Sequence, residues 1–589
     1  MVSYSLHHAR SILFVGICIT SVVNAAVPFA LTWSDKSYGP DGPWHAVEVK
    51  IGSAEQEVCL YPGGVWQSYI LLSSICSNTS ISSYCYASTA GVFNNSASTS
   101  FDDTSIRLEI NDATWGPLHF ASATQTPIYG TAKWAMDYVD ILGVSAPNVS
   151  LNVLDQGYQI YPDGTNYPLE LGVLSLGAPD LEQTFSNSDG TSVNSTFVSS
   201  FIYTYGGGQA TPSYSYGMHI GSPTFNIAGS LWLGGYDKSR VLGNVSSQPY
   251  IDATFPIKLR DISLGVVSGG SPWSSSSNLT GLLAAGNSSL SSNGITVLSS
   301  PGDPYLYLPQ STCDAIAAQL PVTYQSKYGL YFWNTSSKAY SDIVTSPSYL
   351  AFTFDKDNLN LSNITIKIPF NLLNLTLTRP LIDTPTPYFP CMGTDGTYAL
   401  GRAFFQAAFV GVNWGSGTGN WFLAQAPGPN LQTTSTTVIQ ASDSSITGSD
   451  NSWENSWAGY WTELSSSTAT ATNATHTRSS SATATDTSLS TGAKAGIGVG
   501  CGVGALAAIL LALWYFRRRR RAPKQVSSRA YRDARGGNDL PDLAQAQSRG
   551  GHSYRSRAPD HSIVSSASTV HKPPAELYTH QNEGPYEML

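Results

Sequence analysis

The chain has 589 residues, only 12% of them charged, and a formal net charge of −9 at pH 7. This length allows two to four domains. The negative balance, together with the lack of basic patches outside the C-terminal tail, excludes a nucleic-acid-binding protein.

The two apolar runs of the chain predict a secretory signal and a membrane anchor. Residues 1–25 have a weakly basic start, a short apolar run over Ser11–Val23 and small residues at Val23-Asn24-Ala25, as a cleaved signal does. The run Ala495–Phe516 is long enough to span a bilayer, and five arginines, Arg517–Arg521, follow it. We therefore expect a type I single-pass protein of the plasma membrane with an extracellular ectodomain.

The composition also indicates a glycosylated surface. The sequence contains twelve Asn-x-Ser/Thr sequons, which is more than chance supplies in a secreted chain. The candidate glycosylation sites are Asn78, Asn148, Asn194, Asn244, Asn334, Asn363 and Asn374.

Residues 26–430 read as one large all-β ectodomain. Short β-branched and aromatic runs, such as Trp44–Ile51 and Ala351–Phe354, alternate with clusters of Gly, Pro, Asn and Ser. Long amphipathic helices are nearly absent, and Thr312–Leu320 is one short helical candidate.

The remainder of the chain differs in composition. Residues 431–494 are rich in Ser and Thr and predict an extended, O-glycosylated stalk. The transmembrane helix over 495–516 and a disordered cytoplasmic tail over 517–589 follow. An aromatic island interrupts the stalk, and its side chains either pack back on the ectodomain or stack on sugars or a partner: Trp453, Trp457, Tyr460 and Trp461.

Several motifs occur in an order typical of one fold. Two segments have the shape of catalytic loops, Val58–Trp66 and Val297–Pro309. Further motifs lie between and after them: Tyr129-Gly130-Thr131, Leu171–Gly177, Gly229–Gly243 and Tyr398–Val412. Over about residues 40–425 the chain resembles the pepsin-like aspartic protease family, as a membrane-anchored, fungal-type member with degenerate catalytic motifs.

The resemblance implies a bilobal, all-β acid protease fold, with an N-lobe over about 40–245 and a C-lobe over about 246–430. It also implies one disulfide in each lobe, Cys76–Cys85 and Cys313–Cys391, as an oxidising compartment allows. Cys59 is left over beside Tyr61 on a predicted buried strand. We interpret Cys59 as an inert buried thiol, and the alternative is a reactive nucleophile.

Both positions of the family's catalytic aspartates are occupied by other residues, Tyr61 and Ser300. The family's chemistry needs two carboxylates that share one proton. A tyrosine with a pKa near 10 and a serine without a paired base do not supply it. We therefore predict no catalytic residue and interpret the chain as a pseudoprotease. Asp303 is expected to point away from the axis between the lobes.

The cleft itself is expected to persist. Gly63 and Gly302 are kept in the two loops, and Tyr129-Gly130 resembles the flap that closes over substrate. These residues and Asp303 are the candidate residues of a groove that binds an extended peptide or a cell-wall ligand by strand addition.

Three functional hypotheses remain at this point. The first is a binding or sensing ectodomain at the cell surface. The second is an active aspartic endopeptidase with an altered dyad, and the third is a structural glycoprotein. We predict no cofactor and no metal, because the histidines are scattered and no H-x-x-x-H or C-x-x-C pattern occurs.

Overall fold

The computed structural model describes residues 26–107, 125–205, 210–273, 278–290, 293–357, 361–415 and 419–465. The predicted signal (1–25), transmembrane helix (495–516) and tail (517–589) lie outside the described residues. Among the residues that the structure describes, no helix is long and apolar enough to cross a bilayer.

The described chain is built mainly from β-strands, as predicted. In the N-terminal half the strands are β1 Phe29–Ala30, β2 Trp33–Tyr38, β3 Trp44–Ile51, β4 Gln56–Gly64, β5 Ser68–Leu71, β6 Ile128–Ile141, β7 Val144–Ile160, β8 Asn166–Pro168, β9 Gly172–Ser175, β10 Glu182–Ser186, β11 Ser192–Thr196, β12 Ser215–His219, β13 Ser230–Leu233, β14 Gly235–Asp237 and β15 Leu242–Pro249.

In the C-terminal half the strands are β16 Pro256–Val266, β17 Asn278–Leu279, β18 Ile295–Ser299, β19 Leu306–Leu308, β20 Val322–Gln325, β21 Leu330–Trp333, β22 Ser348–Asp355, β23 Asn363–Pro369, β24 Leu375–Leu377, β25 Thr386–Phe389, β26 Cys391–Gly393, β27 Ala399–Leu400, β28 Ala408–Asn413, β29 Asn420–Gln425 and β30 Thr436–Val438.

Helices are short. The α-helices are α1 Val198–Thr204, α2 Gln310–Ala317, α3 Lys338–Thr345, α4 Arg402–Phe405 and α5 Trp453–Ser456. The 3₁₀ helices are Ser73–Cys76, Tyr86–Thr89, Asn95–Ala97, Pro223–Phe225, Lys238–Arg240 and Ser288–Leu290. The helical candidate at Thr312–Leu320 is confirmed as α2, whose side chains Thr312, Cys313 and Ile316 are buried.

Three groups of strands give the bilobal arrangement. β2–β11 form one ten-stranded sheet, whereas β16–β27 form an eight-stranded and a four-stranded sheet. A six-stranded sheet in the order β1-β13-β12-β28-β29-β15 takes strands from the start, the middle and the end of the domain and joins the two halves. The predicted lobe boundary at residues 245/246 falls inside β15, which belongs to this shared sheet. The predicted start near residue 40 is also late, since β1 and β2 precede it.

Alternating burial explains why these segments form strands. In β3, Val47, Val49 and Ile51 point into the core, whereas Glu48 is exposed and Lys50 partly so.

The two predicted disulfides, Cys76–Cys85 and Cys313–Cys391, are both formed.

The stalk begins later than predicted. Residues 427–465, which we call the C-terminal strap, pack on the domain. β30 pairs with β14, and Ile439 is fully buried. Trp457 is 1% exposed and contacts Phe225, with ring centroids 5.6 Å apart. The high Ser and Thr content of this segment predicts a stalk in spite of these few buried apolar residues. For the aromatic island, the structure supports packing on the ectodomain.

We expect Trp457→Ala to destabilise the domain by about 3–5 kcal/mol, because it empties a fully buried indole site. Tyr460→Ala is the matched control, since Tyr460 is 46% exposed in the same strap. Urea denaturation of the full chain, followed by tryptophan fluorescence, measures both. Equal midpoints for the two variants would mean that the strap contributes nothing to the fold.

A buried histidine makes the shared sheet sensitive to acid. His219 on β12 is fully buried, and its Nε2 hydrogen bonds the carbonyl of Gln406 at 2.9 Å. Arg240, which is paired with Asp237, lies 3.5 Å from its Nδ1. Burial, and secondly the charge of Arg240, lower the pKa of His219 from 6.5 to about 3. The folded protein therefore holds His219 neutral at pH values where the unfolded chain protonates it.

Since only the unfolded chain takes up this proton, the contribution of His219 to stability is complete above pH 6.5 and is lost as the pH falls from 6.5 towards 3. At pH 5 the loss is about 2 kcal/mol. We expect His219→Gln to flatten the decrease in unfolding free energy between pH 7 and pH 5. Parallel pH profiles for the variant and the wild type would contradict this assignment.

Candidate functional site

Tyr61 lies in the C-terminal half of β4, and Ser300 directly follows β18, a strand with equivalent neighbours. β4 carries Tyr61 and runs antiparallel to β3 and parallel to β9, where Tyr61 faces Val173. β18, which ends directly before Ser300, runs antiparallel to β16 and parallel to β27. The equal arrangement of neighbouring strands supports the pairing of Tyr61 with Ser300 as equivalent positions of the two lobes.

The loops after these strands touch each other. Gly63 has φ +125°, and a Cβ atom there would lie 2.6 Å from Cγ of Pro301 and 3.3 Å from the amide nitrogen of Gly302. A side chain at position 63 is therefore excluded both by its backbone conformation and by the facing loop. The two lobes meet at this contact.

Arg402, the first residue of α4, contacts both loops. Its guanidinium carbon lies 4.0 Å from the ring centroid of Tyr61 and 5.3 Å from that of Trp44. Its Nη1 donates a hydrogen bond of 2.6 Å to the carbonyl of Gly302, and its Nη2 lies 3.6 Å from Oδ2 of Asp41. Arg402 is 6% exposed, so a buried positive charge lies between the loops.

Tyr61 is turned towards the N-terminal turn of the domain. A Cβ atom at Gly39 would lie 2.8 Å from the Tyr61 hydroxyl, so the phenol fills that space. Burial raises the pKa of Tyr61 well above its ordinary value of 10, and the charge of Arg402 opposes this only in part. Tyr61 lines a small cavity of about 100 Å³ together with Glu170, whose pKa burial also raises. The phenol therefore stays neutral and supplies no base.

Ser300 holds Asp303 within the second loop. The Oδ2 of Asp303 accepts a hydrogen bond of 2.9 Å from the Ser300 hydroxyl. The backbone N–H of Asp303 also donates to the Ser300 carbonyl at 3.0 Å, and Asp303 is 1% exposed. A serine hydroxyl can donate to a carboxylate three residues on, which an ionised aspartate in the same place cannot do. The expected direction of Asp303, away from the axis between the lobes, stays a prediction.

Ser300 and Tyr61 line different cavities. Ser300 and Gly63 line an open cleft of about 590 Å³, whereas Gly302 and Asp303 line the small cavity with Tyr61. Of the described residues that line the cleft, Asp252 alone is charged. The others are apolar or carry amides and hydroxyls, and they include Val65, Trp66, Gln67, Tyr69, Gln183, Thr254 and Phe255. The cleft is thus suited to an uncharged ligand with apolar groups.

Backbone strain is concentrated in the walls of this cleft. Trp66, Asp252 and Ala253 have φ of 67°, 47° and 63°, in the left-handed region that non-glycine residues avoid. Asp252-Ala253 forms a two-residue hairpin turn, a place where Asn-Gly is preferred. Strained residues that persist at a cleft indicate a functional constraint. Ser299 also lines the cleft, and its hydroxyl oxygen is buried without a hydrogen-bond partner among the described residues.

The flap candidate lies at one end of a long hairpin. Tyr129 is near the start of β6, opposite Tyr158 on β7, and the two rings stack at 6.4 Å. The turn between β6 and β7, at Leu142-Gly143, is at the other end. Tyr129 is 42% exposed, and its neighbour Ile128, rather than Tyr129 or Gly130, lines the small cavity. The residues before it, 108–124, lie outside the described part of the chain.

The other predicted positions are placed as follows. Cys59 is buried and accepts a hydrogen bond of 3.2 Å from the Tyr38 hydroxyl, in agreement with a buried thiol. Six glycosylation candidates are exposed: Asn78, Asn148, Asn194, Asn244, Asn334 and Asn363. Asn374 is partly buried, and its amide donates to the Tyr340 hydroxyl at 3.0 Å. No group of three metal-ligating side chains is close enough to hold an ion within the described ranges.

Sequence reasoning missed Arg402 and Asp41. Arg402 is a lone charge inside the apolar stretch Tyr398–Val412, and a lone charge in a buried stretch indicates a partner. Asp41 lies in Pro40-Asp41-Gly42-Pro43, which reads as a turn and gives no sign of an ion pair.

Two yeast proteins are similar to part of the chain. Aspartic proteinase 3 of Saccharomyces cerevisiae is 25% identical over 261 residues, which are 43% of this chain and 40% of that protein. Aspartic proteinase MKC7 of the same yeast is 25% identical over 262 residues, 43% of this chain and 38% of that protein. The chain is a relative of the aspartic proteinases.

The relationship agrees with the loops and strands described above and with the predicted pepsin-like resemblance. No protein-family profile matches the chain. The similarity spans about 40% of the length of each yeast proteinase.

We expect Arg402→Met to destabilise this relative of the proteinases by about 3–5 kcal/mol, because Asp41 is left as a buried, unpaired charge. Arg107→Met is the matched control, since the Arg107–Asp189 pair is exposed, and its unfolding midpoint should change little. Adding Asp41→Asn to Arg402→Met should recover part of the loss. A midpoint for Arg402→Met equal to that of the control would contradict the proposed importance of the buried pair.

Proposed function

We propose that the chain is a catalytically inactive relative of the aspartic proteinases whose cleft binds an extended peptide or a cell-wall ligand outside the cell. The observation that carries the proposal is the buried guanidinium of Arg402 beside Tyr61, in the place of a carboxylate dyad. A fixed positive charge there excludes the shared proton on which that chemistry depends.

Three features support retained binding. The cleft of about 590 Å³ lies in the size range of ligand sites. Its walls keep strained residues at Trp66 and Asp252-Ala253, and polar side chains such as Gln67 and Gln183 also line it. An extended peptide would supply backbone donors and acceptors for such groups and apolar side chains for Trp66 and Phe255.

The extracellular location belongs to the same proposal. The two disulfides suit an oxidising compartment. The exposed sequons suit a glycosylated surface. The predicted signal and anchor would place the domain at the plasma membrane as a binding or sensing module.

The experiment uses the full chain, purified in mild detergent, with a diverse peptide library between pH 3 and pH 7. We expect retention of a subset of peptides and no cleavage. Thr254→Trp fills the cleft from an exposed position on its rim and should weaken binding at least tenfold. Thr323→Trp, an exposed threonine of β20, is the matched control and should bind like the wild type.

A second variant separates the absence of the two carboxylates from the presence of the Arg402 guanidinium as reasons for inactivity. Tyr61→Asp with Ser300→Asp should still not cleave, because Arg402 would pair with the new carboxylate at position 61 and keep it ionised. Cleavage by the wild type, blocked by a transition-state peptide analogue, would establish the alternative of an active endopeptidase. If no peptide is retained, the hypothesis of a structural glycoprotein is favoured instead.

A further inference from the structure

A second groove lies on the domain, away from the two catalytic-type loops. It has a volume of about 410 Å³ and is formed by the start of β15, by β23 and by the start of α5 in the C-terminal strap. Its lining includes Asn244, Asn363, Thr365, Lys367, Trp453 and Glu454. We call it the edge groove, because both strands that form it are sheet edges.

The edge groove lies between the outermost strands of two different sheets. β15 is the last strand of the six-stranded sheet, and β23 is the last strand of the eight-stranded sheet. The β15 edge is covered in part, because Leu242 forms a bridge with Ser449 of the strap and the Ser247 N–H donates to the carbonyl of Lys356 at 3.1 Å. Edge strands present unpaired backbone groups and are templates for pairing with another chain unless they are covered.

One position of the β23 edge is already covered from within. The Gln425 side chain accepts a hydrogen bond of 2.7 Å from the N–H of Lys367 and donates one of 3.0 Å to its carbonyl. In an antiparallel strand the outward-facing backbone groups recur at every second residue. Thr365 and Asn363 therefore present theirs on the same edge, where the amide of Gln425 does not reach.

Both edges carry a sequon at this groove. Asn244-Val245-Ser246 begins on β15 and Asn363-Ile364-Thr365 on β23, and both asparagines are exposed. Carbohydrate attached to either side chain would start at the lining of the groove.

The strap provides a suitable wall for sugars. Trp453 lines the groove, is 6% exposed, and its indole N–H has no hydrogen-bond partner among the described residues. The ammonium of Lys367 lies 5.1 Å from the Trp453 ring centroid and 3.3 Å from Glu454. A neutral, hydroxyl-rich ligand matches this lining, which combines an aromatic ring, side-chain amides and the Lys367–Glu454 ion pair.

We propose that the edge groove seats the first N-acetylglucosamine residues of the chain's own N-linked glycans at Asn244 and Asn363. The sugars would cover both sheet edges and hold the start of α5 against them. The glycan thereby becomes part of the fold at this position, in addition to solubilising the surface.

The attachment requires a lipid-linked pyrophosphate sugar donor. The Asn side-chain nitrogen forms a bond to C1 of the sugar, the C1–oxygen bond to the lipid pyrophosphate breaks, and one amide proton is released. In the folded domain the sequon hydroxyl of Ser246 is fully buried and donates to the carbonyl of Asp355 at 2.9 Å. Attachment at Asn244 therefore has to precede folding.

The test uses the full chain produced in a eukaryotic host and purified in mild detergent. Mass spectrometry should find sugar on Asn244 and Asn363. Asn244→Gln combined with Thr365→Val removes both sequons, and should raise amide hydrogen exchange at residues 451–454 at least tenfold. Thr365→Ser keeps the sequon and should keep the protection. Asn194→Gln, which removes an exposed sequon on the interior strand β11, is the control for glycan loss elsewhere.

Two further measurements identify the occupant. Enzymatic trimming to a single N-acetylglucosamine should preserve the protection, whereas complete removal of the glycans should abolish it. Unoccupied sequons, or exchange in the double variant equal to that in Asn194→Gln, would overturn the proposal. A dimer of the glycosylated wild type that protects these strands, seen by light scattering and hydrogen exchange, would show that a second copy occupies the groove. Peptide binding in the cleft is measured independently and does not decide this question.

Discussion

The centre of the domain depends on one buried cation. Arg402 comes late in the chain, Asp41 and Tyr61 come early, and Gly302 belongs to the second loop. The guanidinium joins these parts through an ion pair, a ring contact and a hydrogen bond. A buried charge is tolerated only when its partners are in place, so the geometry of both loops is tied to this residue. The Gly63–Pro301 contact, and with it the junction of the lobes, lies within the same cluster.

Part of the architecture could be predicted from local patterns and part only from the resemblance to a family. The strand Trp44–Ile51 has the predicted bounds, because its alternation of burial lies within one short segment. The partners of Cys313–Cys391 are 78 residues apart, so their pairing was implied by the resemblance and not by any local pattern. The positions of Tyr61 and Ser300 were likewise implied by the resemblance, and their strands have equivalent neighbours.

The missed features depend on contacts between distant segments. No residue near Asp41 in the sequence predicts that it contacts Arg402, because the two residues are far apart in the sequence and come together only in the folded domain. The C-terminal strap was read as a stalk because its Ser and Thr content outweighed a few apolar anchors, such as Ile439 and Trp457, each of which fills a site built by other strands.

The second loop pairs the Ser300 hydroxyl with the carboxylate of Asp303, three residues later. The resemblance to the pepsin-like family implies a carboxylate at position 300, whereas this chain has its carboxylate three residues later, at Asp303. The hydrogen bond from Ser300 to Asp303 gives the loop internal support. Ser300 lines the large cleft, and Asp303 lines the small cavity together with Tyr61. The small cavity is also lined by Asp41, which pairs with Arg402, and by Glu170. The second loop thus presents a hydroxyl, and not its carboxylate, to the large cleft.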